Sequence, residues 1–113
     1  WVDDVPENNL FEQEMLRVFG VQIETALTTE EAMGKIRKCH YDLVVSDMAR
    51  DGQSDAGLEL LNRLRESRNQ TPVIYYVGFV ESSRGTPVGS FGIADRPEPL
   101  LHFVLDVLER SRV

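Results

Sequence analysis

Three aspartates carry the chemistry this sequence can offer. Asp3 and Asp4 are adjacent in WVDDVPEN, and Asp47 follows more than forty residues later in LVVSDM. Carboxylates crowded into one crevice repel one another unless a cation sits among them. An all-oxygen ligand set with open positions suits Mg²⁺, which takes one or two carboxylates, waters and a phosphate oxygen. A carboxylate beside Mg²⁺ can also attack a phosphoryl group, with the metal offsetting charge on the transferring oxygens. Each aspartate has a plainer reading when taken singly. Asp caps helices and makes turns, and Asp4 or Asp47 would serve equally well as a cap. Only a fold that gathers all three turns them into a site.

The elements that must do so follow from periodicity. Trp1 and Val2 read as the end of a first strand. A helix is expected from about Pro6 to Phe19, with Phe11, Met15, Val18 and Phe19 on one face and Gly20 at the C-cap. VQIETA alternates as a second strand. Thr28 and Glu31 form a capping box for a helix carrying Ala32, Met33, Ile36 and Cys39 on one side. YDLVVS is a third, buried strand. A Gly- and Asp-rich loop leads to a helix lined by Gly57, Leu60, Leu61 and Leu64, then PVIYYV, then a weak strand in FGIAD. Pro97 to Arg110 closes the chain as a helix with Leu100, Leu101, Val104, Leu105 and Leu108 inward. A central parallel strand is normally about 5 residues long, so a few more apolar residues are expected before Trp1.

Alternation of strand and helix throughout predicts an α/β fold: a doubly wound five-stranded parallel sheet of order 2-1-3-4-5 in one domain over residues 1–113. The fourth helix is expected to be degenerate or absent, because ESSRGTPVGSFG holds three glycines and a proline where it belongs. In this topology strands 1 and 3 are neighbours, and the crevice lies at their carboxyl ends where the winding reverses. Asp3 and Asp4 then sit just past one strand, and Asp47 ends the other.

Composition removes several function classes. A chain of 113 residues with net charge −7 and pI near 4.7 is unsuited to bind nucleic acid or an anionic membrane face. No apolar run approaches the roughly 18 residues of a membrane span. A single cysteine forms no internal disulfide, which fits a reducing, cytoplasmic location. The first βα turn, DDVPENN, has no glycine and so lacks the dinucleotide-binding pattern. The two histidines, His40 and His102, fall at a helix end and on a polar helix face, which leaves no nucleophile–base pair.

With these residues in place the chain resembles the receiver domains of bacterial two-component response regulators. The resemblance is carried by the acidic pair in WVDDVPEN, Asp47 in DLVVSDM, Gly57 opening the third helix, TPVIYY, and RPEPLL opening the last helix. It implies that Asp47 is the phospho-acceptor and that Asp3, Asp4, Asp47 and the backbone carbonyl of Ala49 hold Mg²⁺. It implies a histidine kinase or phosphotransfer protein as donor, and an output domain or partner protein as recipient of the signal. It also implies a domain that is not an enzyme beyond slow self-phosphorylation and dephosphorylation.

Departures from the family pattern shape the remaining expectations. Val77 stands where the family has a hydroxyl, and Ile93 where it often has a switching aromatic. Arg96 replaces the usual lysine and is expected to reach the carboxylates, holding Asp47 in a bidentate pair. Arg96 and the backbone N–H of Gly78 are the expected phosphate contacts, and Arg50 is expected to help order the loop from Met48 to Ala56 around a phosphoryl group. The alternative is a phosphorylation-independent pseudo-receiver, a protein-interaction module. Cys39 is expected to be packed. Phe103 and Val107, outside the main stripe of the last helix, are read as surface hydrophobes that could form a partner patch, and a homodimer through that helix is a further expectation.

Overall fold

Short β-branched runs form the sheet. The computed structural model describes residues 1–50 and 52–111. Strands β1 (Val44–Ser46), β2 (Val73–Tyr76) and β3 (Gly92–Ala94) are parallel and lie in the order β1-β2-β3. Val44 is opposite Val73 and Tyr75 is opposite Ile93. Beyond β1, Val2 makes two single-residue parallel bridges, to Ser46 and to Ala26. Five strands were expected, and among the described residues three form. The stretch VQIETA contributes only Ala26, because its neighbour is just Trp1 and Val2. The bonds Ala26 N–H to Trp1 O and Asp3 N–H to Ala26 O, both 2.9 Å, make up that pairing.

Alternation along the strands sends side chains to two cores. Val44, Val73 and Tyr75 pack with Ala32 and Met33 of α2 (Thr29–Lys38) and Leu60, Leu61 and Leu64 of α3 (Ala56–Glu66). Val45, Ile74 and Ala94 pack with Leu16 of α1 (Leu10–Val18) and Leu100, Val104 and Val107 of α4 (Pro97–Ser111). Helices therefore cover both faces of the sheet, as a doubly wound arrangement requires. The α2 cap forms as its sequence suggests. Thr28 Oγ1 accepts from Glu31 N–H at 3.0 Å, and the Glu31 carboxylate accepts from Leu27 N–H at 3.1 Å. Where a fourth crossover helix was doubtful there is one 3₁₀ turn, Ser82–Arg84. No helix among the described residues is long and apolar enough to cross a membrane.

Three side-chain expectations are corrected. The stripe Phe11, Val18 and Phe19 faces solvent, at 69%, 81% and 55% exposure, while Leu16 and Gln13 turn inward at 1% and 3%. The cause lies upstream. A 3₁₀ turn, Pro6–Asn9, precedes the helix, and Asp3 accepts from Val5 N–H and Asn9 Nδ2, both at 2.8 Å. Those bonds set the rotation at which α1 meets the sheet. Cys39 is exposed rather than packed, because α2 ends at Lys38 and Cys39 takes an extended C-cap conformation that leaves the helical face. Phe103 and Val107 are not a surface patch: Val107 is buried, and the Phe103 ring lies edge-on to Phe91 and closes over Gly92.

Candidate functional site

The backbone brings the three aspartates together. Val2 N–H donates to Val45 O at 2.7 Å, and Asp47 N–H donates to Val2 O at 3.1 Å. One residue further on, the chain leaves this pairing as Asp3 and Asp4 on one side and Asp47 on the other. Carboxylate oxygens of Asp3, Asp4 and Asp47 lie within 4.8 Å of one another, and all three residues are half-buried. Three anionic oxygen donors at that spacing, open on one side to water, fit Mg²⁺. Asp3 also accepts the hydrogen bonds from Val5 N–H and Asn9 Nδ2 described above, so its structural and its ligand readings hold together.

Asp47 is joined to a cation that does not come from the expected position. Arg50, three residues on, sets its guanidinium Nη1 on Asp47 Oδ1. Arg96 does not form the expected pair. It is 77% exposed at its side chain, and its carboxylate partner is Asp95 at 3.8 Å. The physical reason is the plain one for a long side chain beside a nearby carboxylate at a helix start: it stays hydrated and pays no desolvation. Val77 and Ile93 both pack against the α2–α3 core, and neither carries a polar group toward the site. Gly78 is exposed, at a bend two residues past the end of β2.

Sequence reasoning named Arg50 only as a loop residue that would respond to a phosphoryl group. The signal that was available is the D-x-x-R spacing of Asp47 and Arg50, which reads equally well as an exposed i,i+3 pair. Thr29 and Ser46, which complete the setting of Arg50, carried no signal of their own.

Burial pushes the Asp47 carboxyl up to about 6; the charge and hydrogen bond of Arg50 pull it down, and Asp3 and Asp4 add to the rise. In the unfolded chain an Asp titrates near ~3.9, so the folded protein holds this proton more tightly. The stabilisation so gained is complete below the unfolded value and is lost as the pH rises through about 6. In metal-free buffer the wild type should therefore lose roughly 1 kcal/mol relative to Asp47→Asn between about pH 4 and about pH 7, the full shift being discounted for partial exposure. Denaturant midpoints of the two proteins across that range check this. Parallel curves would contradict it.

Known proteins resemble this chain in sequence and in fold. The family model described as the response regulator receiver domain matches residues 1–95. The sensor protein EvgS of Escherichia coli K12 is 31% identical over 71 residues, covering 63% of this chain and 6% of that protein. The chain thus spans a small part of the curated relatives it matches. Among solved structures, the response regulator TrrA of Thermotoga maritima, in complex with Mg²⁺ and BeF, has a TM-score of 0.77 at 25% identity, covering 94% of both chains. The chemotaxis response regulator CheY4 of Vibrio cholerae has a TM-score of 0.75 at 25% identity, covering 94% of this chain and 93% of that one. The receiver domain of the Francisella response regulator 1452 superposes with a TM-score of 0.82 at 23% identity, over 97% of this chain and 94% of that one, a likeness of fold.

Proposed function

Because the chain belongs to the response regulator receiver-domain family, we propose that it accepts a phosphoryl group on Asp47 and passes the change to a partner. The observation that carries this reading is the meeting of Asp3, Asp4 and Asp47 within 4.8 Å at the end of β1. Asp3, Asp4, Asp47 and the backbone carbonyl of Ala49 would hold Mg²⁺, which when bound offsets negative charge on the transferring oxygens. The chain's own part is nucleophilic. A free carboxylate oxygen of Asp47 forms the bond to phosphorus as the donor's bond breaks, and with acetyl phosphate the leaving group departs as acetate, so no proton has to move. That economy fits a site with no histidine beside it.

In the cell the donor would be a histidine kinase or a phosphotransfer protein, and the recipient an output domain or separate partner protein. The domain itself would be no enzyme beyond slow self-phosphorylation and dephosphorylation. The exposed Arg96 and the N–H of Gly78 are the groups proposed to meet the phosphoryl oxygens. The two bridges of Val2 support the five-strand order 2-1-3-4-5, and a cytoplasmic location goes with the role.

Acetyl phosphate with Mg²⁺, followed by intact mass, tests the reading. A gain of one phosphoryl group is expected in the wild type, with complete loss in Asp47→Asn and in excess EDTA. No gain in the wild type would turn the reading to a phosphorylation-independent interaction module, which Val77 in place of a hydroxyl favours.

A further inference from the structure

Arg50 is the one charged residue in the core among the described residues, at 3% exposure. Its Nη1 donates to Ser46 Oγ at 2.9 Å as well as to Asp47 Oδ1. Its Nη2 donates to Thr29 Oγ1 at 2.7 Å and to the carbonyl of Ala56 at 3.3 Å. These acceptors come from the end of β1, the residue after it, and the first residues of α2 and α3. The loop closes at Arg50 as well. Its backbone exchanges hydrogen bonds with Gln53, at 3.0 and 2.8 Å, across Gly52 at φ +78°.

A guanidinium desolvated this far needs a charged partner. Among the described residues Asp47 is the carboxylate that supplies it. The three neutral bonds anchor the arginine independently of Asp47, so the arginine is the fixed member of the pair and the carboxylate is the member being held. With Nη1 on Oδ1, the oxygen left for other chemistry is Oδ2. A carboxylate held by one oxygen has lost much of its rotamer freedom before any donor arrives, and such prior orientation contributes to the rate of group transfer.

We propose that Arg50 is the positioning residue of the acceptor and its resident counter-charge: it fixes Asp47 through Oδ1, presents Oδ2 for phosphoryl transfer, and moderates the hold of the acidic crevice on divalent cations. The proposal rests on the acceptor reading above for its kinetic half. Its electrostatic half stands on the ion pair itself.

The two halves act in opposite directions, which separates this role from simple stitching of the fold. Removing a fixed positive charge beside three carboxylates must strengthen cation binding. Removing the clamp on Asp47 must slow transfer. In Arg50→Gln, Mg²⁺ titrated alone and followed by the amide signals of Asp3, Asp4 and Asp47 is expected to bind about tenfold more tightly. Phosphoryl uptake from acetyl phosphate at saturating Mg²⁺ is expected to slow by about tenfold or more. Arg50→Lys keeps the charge and loses the planar fork, so it should restore the Mg²⁺ affinity but not the rate. An arginine that only knits α2 and α3 together would give weaker binding and slower uptake together, and that result overturns the proposal, as does an unchanged Arg50→Gln. Should Arg50→Gln fail to fold, Arg50→Lys decides alone: unchanged affinity with slowed uptake upholds the proposal, and any other pairing overturns it. Should the wild type take up no phosphoryl group, the acceptor reading falls, and the Mg²⁺ titrations judge Arg50 separately: tightening in the glutamine variant but not the lysine variant upholds the counter-charge, and its absence overturns it.

Discussion

Gly57→Ala is expected to destabilise the protein by about 2 kcal/mol and to lower its melting temperature by roughly 8 °C. Gly57 lies in the first turn of α3 with ordinary helical backbone, so alanine should favour the helix by up to about 1 kcal/mol. Space decides against it. A Cβ at this position would stand 2.5 Å from the carbonyl oxygen of Asp47, 2.8 Å from Cε1 of Tyr75 and 3.0 Å from Cα of Met48. Two of those three atoms are backbone of the acceptor loop and cannot rotate away. The glycine is pinned from both sides as well. Its N–H donates to Met48 O at 2.8 Å, and its carbonyl accepts from the fully buried Tyr75 hydroxyl at 2.7 Å. Relief must therefore come from moving residues 47 and 48, so the same variant is expected to take up phosphoryl groups more slowly from acetyl phosphate. Thermal melts and intact mass together check this. A variant that melts at or above the wild-type temperature would show that the close approach of α3 to Asp47 is not there.

Leu16→Ala is expected to cost about 2–5 kcal/mol, against less than about 0.5 kcal/mol for Phe11→Ala. The contrast follows from which side of α1 meets the sheet. Leu16 is 1% exposed and packs with Val45, Ile74, Leu100 and Val104, so its loss leaves a cavity that close-packed neighbours cannot fill. Phe11 is the larger side chain but 69% exposed, and truncating it removes little buried area. Tyr76, whose hydroxyl donates to Glu12 at 2.7 Å, holds the helix in this rotation from the sheet side. Urea midpoints of the two variants decide it. If Phe11→Ala proved as costly as Leu16→Ala, the apolar stripe read from the sequence would be the inward face after all.

That stripe marks where local reading stops. Periodicity identified α1 as a helix because Phe11, Met15 and Val18 recur at helical spacing. It could not identify the buried face, because the phase of a short helix is set where it enters, here by the 3₁₀ turn at Pro6–Asn9 and its bonds to Asp3. The same limit explains Cys39 and Phe103. One sits where α2 has already ended, and the other beside a glycine in β3 that leaves room for a ring. Strand and helix types were legible where β-branched runs such as VVS and VIYY, and the Thr28–Glu31 cap, determine their own conformation over a few residues, and not in VQIETA, whose pairing depends on its neighbour.

The site divides along the same line. Asp3, Asp4 and Asp47 were readable from the sequence alone. Each stands at the end of an apolar run, and alternating elements oblige parallel strands whose carboxyl ends meet at one edge. The sequence likewise showed that Val77 and Ile93 carry no hydroxyl and no ring. Which cation attends Asp47 was beyond it. Arg96 and Arg50 are the same residue type near the same crevice, and no spacing rule says which will give up its water. The tertiary structure decided for Arg50, because the end of β1 and the first residues of α2 and α3 converge to offer it neutral acceptors from Ser46, Thr29 and Ala56 besides the carboxylate. Only such a convergence compensates the desolvation of a guanidinium. Arg96, at the exposed start of α4, is offered Asp95 at 3.8 Å and solvent, and remains outside.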